Sequence, residues 1–381
     1  MVDKALSDDE LIDWLQLART GGIGPLGFAR MLDHFGSARA ALAALPQLIA
    51  RGRKLKPCPR SRIEDELAAL ARFDVTLITL RDPGYPPALA VLPDPPPVIT
   101  VAGDLNLLHA PTIGMVGARN ASGHGRKLAH EIANALAQAE YTIVSGLARG
   151  IDTAAHKGAL DQPGGTIAVI ASGIDIAYPP ENTDLMAAIA KHGAVITEYP
   201  LGLPPRAKHF PQRNRLIAGL SLGTLVVEAT PKSGSLITAR LAADYGREVM
   251  AIPGSPADAR HRGSNALLKD GAALIENAAD VLAVIEPLRN LRPKAVRQRS
   301  RELPPVKPKP APRAGDKTAS QAPGSLELRL RECLGTEPLH VDELIRQCHA
   351  TAAEVQRTLL DFELAGLIER HPGNRIALAR S

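Results

Sequence analysis

The chain has 381 residues, enough for two or three domains of ordinary size, with a formal net charge of +5 and three cysteines. Cys58, Cys333 and Cys348 lie far apart and form no C-x-x-C pair, which argues against a zinc site or disulfide framework and for a reducing cytoplasm. The acidic start and the absence of any apolar run of about 18–20 residues argue against a signal peptide and against membrane association.

Residues 1–72 read as a small helical domain, with apolar side chains at helical spacing in Leu11, Leu15 and Ala18 and again in Phe28, Leu32 and Phe35. Between these helices, Gly21-Gly22-Ile23-Gly24-Pro25 resembles the turn of a SAM or helix-hairpin-helix domain, in which glycine lets backbone N–H groups approach a phosphate. The alternative is a plain interhelix turn. Residues 73–109 form a connector, with strands expected at Val75–Leu80 and Val98–Ala102 and a proline density between them that forbids regular helix.

From 110 to 287 short apolar runs alternate with amphipathic stretches. Strands are expected at Thr112–Val116, Thr142–Val144, Thr166–Ala171, Ala194–Thr197, Thr224–Glu228 and Val249–Ile252, with helices at Lys127–Ala139, Thr183–Lys191 and Leu236–Tyr245. This alternation predicts a Rossmann-like α/β fold, a doubly wound and mostly parallel sheet. Residues 288–324 read as a Pro-rich basic linker. Between Leu291 and Gly324, nine lysines and arginines face two acids, a local balance of +7 that leaves the rest of the chain near −2. The overall basicity is therefore no evidence about the folded parts. Residues 325–381 show three helical patterns and two strands around Pro372-Gly373-Asn374, a winged-helix pattern. Its recognition helix carries Glu354, Asp361 and Glu363 against Arg357, a poor balance for lying against phosphates, so a protein-contact role is expected.

Within the α/β domain, Arg206 to Arg215 holds four fixed positive charges, the Phe210 ring and no acid, and no Asp or Glu occurs from Tyr199 to Val227. Cations beside a π-face suit single-stranded nucleic acid. The bland alternative is a solvated basic loop. Gly-rich turns before helices recur at Gly117-Ala118-Arg119 with Ser122, at Ser145-Gly146, at Gly173-Ile174-Asp175 and at Ser233-Gly234. Loops at the carboxyl ends of the strands of an open α/β sheet share one crevice, so Arg119, Ser145-Gly146, the Phe210 stretch and Ser233-Gly234 should converge on one edge.

The first turn is not G-x-G-x-x-G, no acid ends the second strand to hold ribose hydroxyls, and no G-x-x-x-x-G-K-[ST] loop is present. No cofactor, metal or catalytic residue is expected. Ser145, Asp152 and His156 lack a G-x-S-x-G elbow; Asp152 reads as a helix N-cap and His156 as a structural hydrogen-bonding residue.

Val116-Gly117-Ala118-Arg119 with Ser122 and Gly125, Ser145-Gly146-Leu147-Ala148-Arg149-Gly150-Ile151-Asp152 with Ala155-His156, Tyr178-Pro179, Phe210-Pro211 with Arg213-Asn214-Arg215, Ser233 to Arg240, and Pro253-Gly254 together resemble the DNA-processing protein A family, also called DprA or Smf. The resemblance covers about residues 80–287, and the flanking domains resemble attachments found in that family. The chain departs in reading Ala118 where many relatives have serine. The resemblance implies a non-catalytic, cytoplasmic protein that binds and protects single-stranded DNA during natural transformation, loads the RecA recombinase onto it, and forms homodimers through the Rossmann-like domain. It implies that Arg119 clamps a phosphate, Lys208, Arg213 and Arg215 line a basic pocket, and Phe210 stacks on a base. Ser122, Gly146, Asn214, Ser233 and Gly234 complete the expected DNA path. The rival reading is a nucleotide-processing enzyme of the lysine-decarboxylase-like phosphoribohydrolase type. Its Pro-Gly-Gly-x-Gly-Thr motif is matched here only by Gly223-Thr224 and a lone Glu228. A duplex-binding regulator using the winged helix is the third reading.

Overall fold

The structure, a computed structural model, describes residues 6–291, 324–335, 339–348, 350–351, 354–355, 358–359, 362–363, 367–371 and 375–378. Residues 292–323 of the expected linker, Arg357 and Asp361, and the Pro372-Gly373-Asn374 turn lie outside the described residues. The chain divides into two compact units, residues 1–39 with 58–296 and residues 40–57 with 297–381.

In the first unit, α1 (Asp8–Arg19) opens with a capping box in which Ser7 and Glu10 satisfy each other's backbone N–H, followed by an acidic first turn that complements the helix dipole. α2 (Pro25–Phe35) starts with proline where no N–H is needed and stops at Gly36 in the left-handed conformation. α3 (Ala38–Ala50) runs almost wholly in the second unit, and α4 (Arg60–Leu70) returns to the first. Trp14 meets Phe28 edge to face at 4.8 Å and donates its indole N–H to the Pro97 carbonyl at 2.9 Å. Arg19 pairs with Glu66 at 3.0 Å and donates to the Glu198 carbonyl at 3.0 Å. These bonds fasten the helices to the sheet.

The sheet contains β1 (Thr76–Thr79), β2 (Val98–Gly103), β3 (Thr112–Val116), β4 (Thr142–Ser145), β5 (Thr166–Val169), β6 (Ala194–Thr197), β7 (Gly223–Val226), β8 (Glu248–Ala251) and β9 (Ala273–Leu274). Their order is β1-β2-β6-β5-β4-β3-β7-β8-β9, with β2 antiparallel to both its neighbours, β1 and β6, and every other pairing parallel. β3 to β7 are buried throughout because helices cover both faces. Ile113, Met115, Ile143 and Leu225 face one layer, while Val116, Val144, Ile167 and Val226 face the other, the period-two alternation of a strand.

The connecting helices are α5 (Pro87–Ala90), α6 (Gly123–Gln138), α7 (Ile151–Ala159), α8 (Thr183–His192), α9 (His209–Leu220), α10 (Ser235–Asp244), α11 (Arg262–Lys269) and α12 (Ala278–Leu291). The sequence reading assigns no helix between β6 and β7, yet α9 occupies that stretch. β6 and β7 are separated in the sheet by β5, β4 and β3, so the chain must cross the sheet to reach β7, and the apolar run Leu216–Leu220 is the buried part of that crossing.

In the second unit, α13 (Gly324–Cys333), α14 (Val341–Gln347) and a three-stranded sheet enclose a core of Leu330, Val341, Leu344, Leu359 and Ile376. The strands are β10 (Leu339–His340), β11 (Ile368–His371) and β12 (Arg375–Leu378), and β10 adds one to the expected pair. Glu354 is a capping acid, accepting from the Thr351 N–H and hydroxyl at 3.0 and 2.7 Å. This unit is a winged helix.

Candidate nucleic-acid interface

The parallel strands diverge at β3, which has β4 on one side and β7 on the other. Ligands of open α/β sheets bind at this switch point, outside the carboxyl ends of the strands. There the structure has an open crevice of about 800 Å³, walled by the turns after β3, β4 and β7 and by α9. A smaller recess of about 320 Å³ adjoins it, and Arg119 and Phe210 line both.

Helical periodicity decides what α9 contributes. Phe210, Arg213, Asn214 and Ile217, at i, i+3, i+4 and i+7, share one face and all line the crevice. The Arg119 guanidinium lies over the Phe210 ring at 5.2 Å, and the Tyr178 ring sits 5.5 Å from it, tilted by 53°. Phe210 is half-buried, Arg119 and Tyr178 are exposed, and the three form an open platform. Phe210, Arg119, Asn214, Ser233 and Gly234 are thus brought together as expected. The Asn214 amide donates to the Gly234 carbonyl at 3.2 Å, and the Ser233 and Ser235 hydroxyls share a 2.7 Å hydrogen bond.

Beneath the platform the floor is charged and buried. Arg213 is 4% exposed, donates to the Val169 carbonyl at 2.5 Å, and has its guanidinium under Gly146, where a Cβ would come within 2.6 Å of Arg213 Cζ. Burial lowers the Arg213 pKa to about 10, with Asp152 opposing the shift, so the group stays cationic at neutral pH. Burial likewise raises the Asp152 carboxyl, and Arg213 works against it. Asp152 is not the N-cap, a position taken by Gly150; it lies in the first turn of α7, and its Oδ2 accepts the Gly146 and Ala148 N–H groups at 3.1 and 3.3 Å. Gly146 therefore donates inward, and any place it has on the expected DNA path does not come from a free N–H.

Leu147 adopts φ 57, a left-handed conformation that costs a non-glycine residue about 1–2 kcal/mol. Its N–H donates to His156 Nε2 at 3.3 Å and its carbonyl accepts from the Asn182 amide at 2.8 Å. His156 is fully buried, and burial drives its pKa down to about 3, so the ring is neutral. Its Nδ1 bonds Thr166 Oγ1 at 2.7 Å, while Ser145 donates to the Met115 carbonyl at 2.6 Å. All three members of the Ser145, Asp152 and His156 set serve the backbone.

Two further residues expected on the DNA path are engaged within the fold. Ser122 caps α6 by accepting from Gly125 N–H at 2.8 Å, while its own N–H and hydroxyl donate to Glu228 at 3.0 and 2.5 Å. Glu228 is 1% exposed, so the anion at this helix N-terminus is the protein's own carboxylate, and Ser122 has no hydroxyl proton left for a phosphate. Arg215 lies two residues from Arg213, about 200° around the helix, and faces away from the crevice. There it is 7% exposed, hydrogen-bonded to Glu198 and to the Asp94 carbonyl at 2.7 Å, with Nε 3.5 Å from the Asp94 carboxylate. The absence of acids between Tyr199 and Val227 did not leave this cation unpaired, because tertiary structure supplies them. Burial raises the Glu198 carboxyl and Arg215 opposes it. Lys208 is exposed at the N-cap of α9 and stands outside the crevice lining.

Sequence reasoning missed Tyr178 as a platform ring, although Tyr178-Pro179 stands among its motifs. It also missed Arg260, which lines the crevice while paired to Asp258 at 2.6 Å, and Asn182, for which no local signal exists. Among the described residues no three His, Cys, Asp or Glu side chains gather to hold a metal ion, and no helix is long and apolar enough to cross a membrane.

Comparison with known proteins agrees with this architecture part by part. The family model of DNA recombination-mediator protein A matches residues 76–286, that of a DprA-like N-terminal HHH domain matches 8–69, and that of a DprA winged-helix domain matches 309–374. Protein Smf of Synechocystis is 32% identical over 97% of this chain and 99% of its own length. The DNA processing protein DprA of Streptococcus pneumoniae is 44% identical over 55% of this chain and 73% of its own. Its X-ray structure superposes with a TM-score of 0.62 at 34% identity, covering 74% of this chain and 99% of that one. A Helicobacter pylori DNA processing protein A, solved to describe its single-stranded DNA binding mode, gives a TM-score of 0.52 at 30% identity, covering 58% of this chain and 98% of its own. With all three domains matched in order, the chain belongs to the DprA/Smf family of DNA recombination-mediator proteins.

Proposed function

We propose that this chain is a recombination mediator that holds single-stranded DNA in the crevice, protects it during natural transformation and loads the RecA recombinase onto it, without catalysing a reaction. The platform of Arg119, Phe210 and Tyr178 carries this reading. An unstacked base has a π-face for Phe210 or Tyr178, and a guanidinium already lying over a ring presents its N–H edge to a phosphate. Arg119 clamps a phosphate and Phe210 stacks on a base, with Lys208 and Arg206 adding exposed charge beside the crevice. Asn214, Ser233 and Gly234 shape the strand's path. Arg213 supports from the floor. A homodimer through the Rossmann-like domain sets two such crevices in tandem in the cytoplasm.

The DNA half is tested by fluorescence anisotropy with a labelled single strand across a salt series. Phe210→Ala should lose about 1–3 kcal/mol of affinity, and log K should fall steeply with log salt. Wild-type binding by a Phe210→Ala, Arg119→Ala double variant sinks the site. The RecA half is tested by strand exchange on single strands coated with single-stranded-DNA-binding protein, where no stimulation by this protein with its cognate RecA refutes loading.

A further inference from the structure

The Gly146–Arg149 loop brings Ala148 to the crevice and Arg149 to the recess; Asp152, which lines the crevice, takes two of its N–H groups, and Asn182 and His156, which line neither cavity, hold Leu147 between them. Asn182 comes from the turn Pro180–Asn182, directly after Tyr178-Pro179, and is 6% exposed. Its amide nitrogen reaches the Leu147 carbonyl at 2.8 Å, the Ala148 carbonyl at 3.4 Å and Thr153 Oγ1 at 2.9 Å. On the other side of Leu147, the N–H is held by His156. Because Nε2 accepts, Nδ1 carries the ring proton and donates to Thr166 Oγ1, whose hydroxyl passes on to the Ile143 carbonyl at 2.7 Å. Both backbone polar groups of a left-handed leucine are therefore held from buried positions. One of those holds also ties the loop to the segment that carries the Tyr178 ring.

We propose that Asn182 is a positioning residue for nucleic-acid binding: it locks Leu147 and thereby fixes the Arg149 loop and the Tyr178 segment in one geometry, touching no nucleotide itself. This rests on the single-stranded DNA reading of the crevice. Losing the lock lets loop and ring move independently, and binding must then order them.

The test compares Asn182→Ala, the isosteric Asn182→Asp, Phe210→Ala and Arg119→Ala on one labelled single strand across a salt series, with hydrogen exchange at the Leu147 and Ala148 amides. Both Asn182 variants should bind about tenfold more weakly, keep the wild-type salt slope, and exchange faster at Leu147 and Ala148 while the sheet amides stay protected. Arg119→Ala should instead flatten the slope by about 0.7, the loss of one phosphate contact. Wild-type affinity for Asn182→Ala alongside a loss for Phe210→Ala overturns the positioning role and leaves the crevice reading standing. Wild-type affinity for both overturns the crevice reading. Loss of sheet protection along with affinity makes Asn182 a stability residue only and overturns the proposal. Should neither Asn182 variant fold, the wild type still decides, since fast exchange at Leu147 in the free protein refutes the lock.

Discussion

Gly146→Ala tests whether the floor of the crevice is as rigid as its packing implies. The new Cβ would overlap the Arg213 guanidinium, within 2.6 Å of Cζ and 2.7 Å of Nη2. Such a clash is cheap when a flexible side chain can swing into solvent. Arg213 cannot, being 4% exposed, bonded to the Val169 carbonyl, and still charged with its pKa near 10. Overpacking costs about 1–3 kcal/mol and the loss of a charged hydrogen bond about 1.5–3 kcal/mol, so about 3–5 kcal/mol is expected in all. At about 2–4 °C per kcal/mol for a domain of this size, Tm should fall by roughly 10 °C. The assay is thermal unfolding followed by circular dichroism, with Gly123→Ala as control, since a Cβ there meets nothing within 4 Å. Single-stranded DNA affinity should fall with it, because Ala148 and Arg149 ride on the same loop. A Gly146→Ala protein with wild-type Tm would show that Arg213 moves freely, and the buried-floor reasoning would be wrong.

Arg215→Ala should destabilise the fold by up to about 3 kcal/mol, because the largely covered Glu198 loses its partner, yet it should leave the salt slope of DNA binding unchanged. A reduced slope would return Arg215 to the phosphate path. For His156, the folded pKa of about 3 lies below the ordinary 6.5, so the unfolded chain binds more protons between those values. Its contribution to stability is present above about pH 6.5 and is lost as pH falls toward 3. Urea unfolding of wild type and His156→Gln should show wild type losing up to about 1.4 kcal/mol more per pH unit over that window. Asp152 and Glu198, whose shifts are upward, act oppositely but equally in both proteins and cancel in the difference. Parallel pH profiles would mean that His156 is charged in the fold.

The strands were legible because their apolar runs are short, continuous and flanked by glycine turns, and β3 to β7 are buried along their whole length. βαβ alternation predicts the parallel sheet and the gathering of its turns at the carboxyl ends of the strands, whereas the strand order, with β7 returning beside β3, is set by the crossing through α9. α9 is masked in the sequence because four cations between Arg206 and Arg215 interrupt the apolar period that marks a helix. Read as a helix, Phe210, Arg213, Asn214 and Ile217 fall on one face and Arg215 on the other, a division that spacing alone contains. Asn182 was not recoverable in that way. It acts through Leu147, 35 positions earlier, and only the packing of α7 against α8 and β4 brings the two together.

The Gly-rich turns carry a further consequence for how the crevice can bind. Strand, turn and helix N-terminus make an anion site by geometry, but two of these sites are filled from within. Glu228 takes the Ser122 N–H and hydroxyl at α6, and Asp152 takes two N–H groups of the loop after β4. Both carboxylates are more than nine-tenths buried, and a phosphate would have to displace them by desolvating itself beside a like charge. On the proposed single-stranded DNA reading, recognition of a phosphodiester strand would therefore fall to exposed side chains at the rim, chiefly Arg119 with the Phe210 and Tyr178 rings. Rim contacts of that kind are screened by salt and indifferent to base identity. On that reading a crevice built this way would hold a strand by many exchangeable contacts rather than grip one nucleotide, which would separate it from a nucleotide-cofactor site on the same fold.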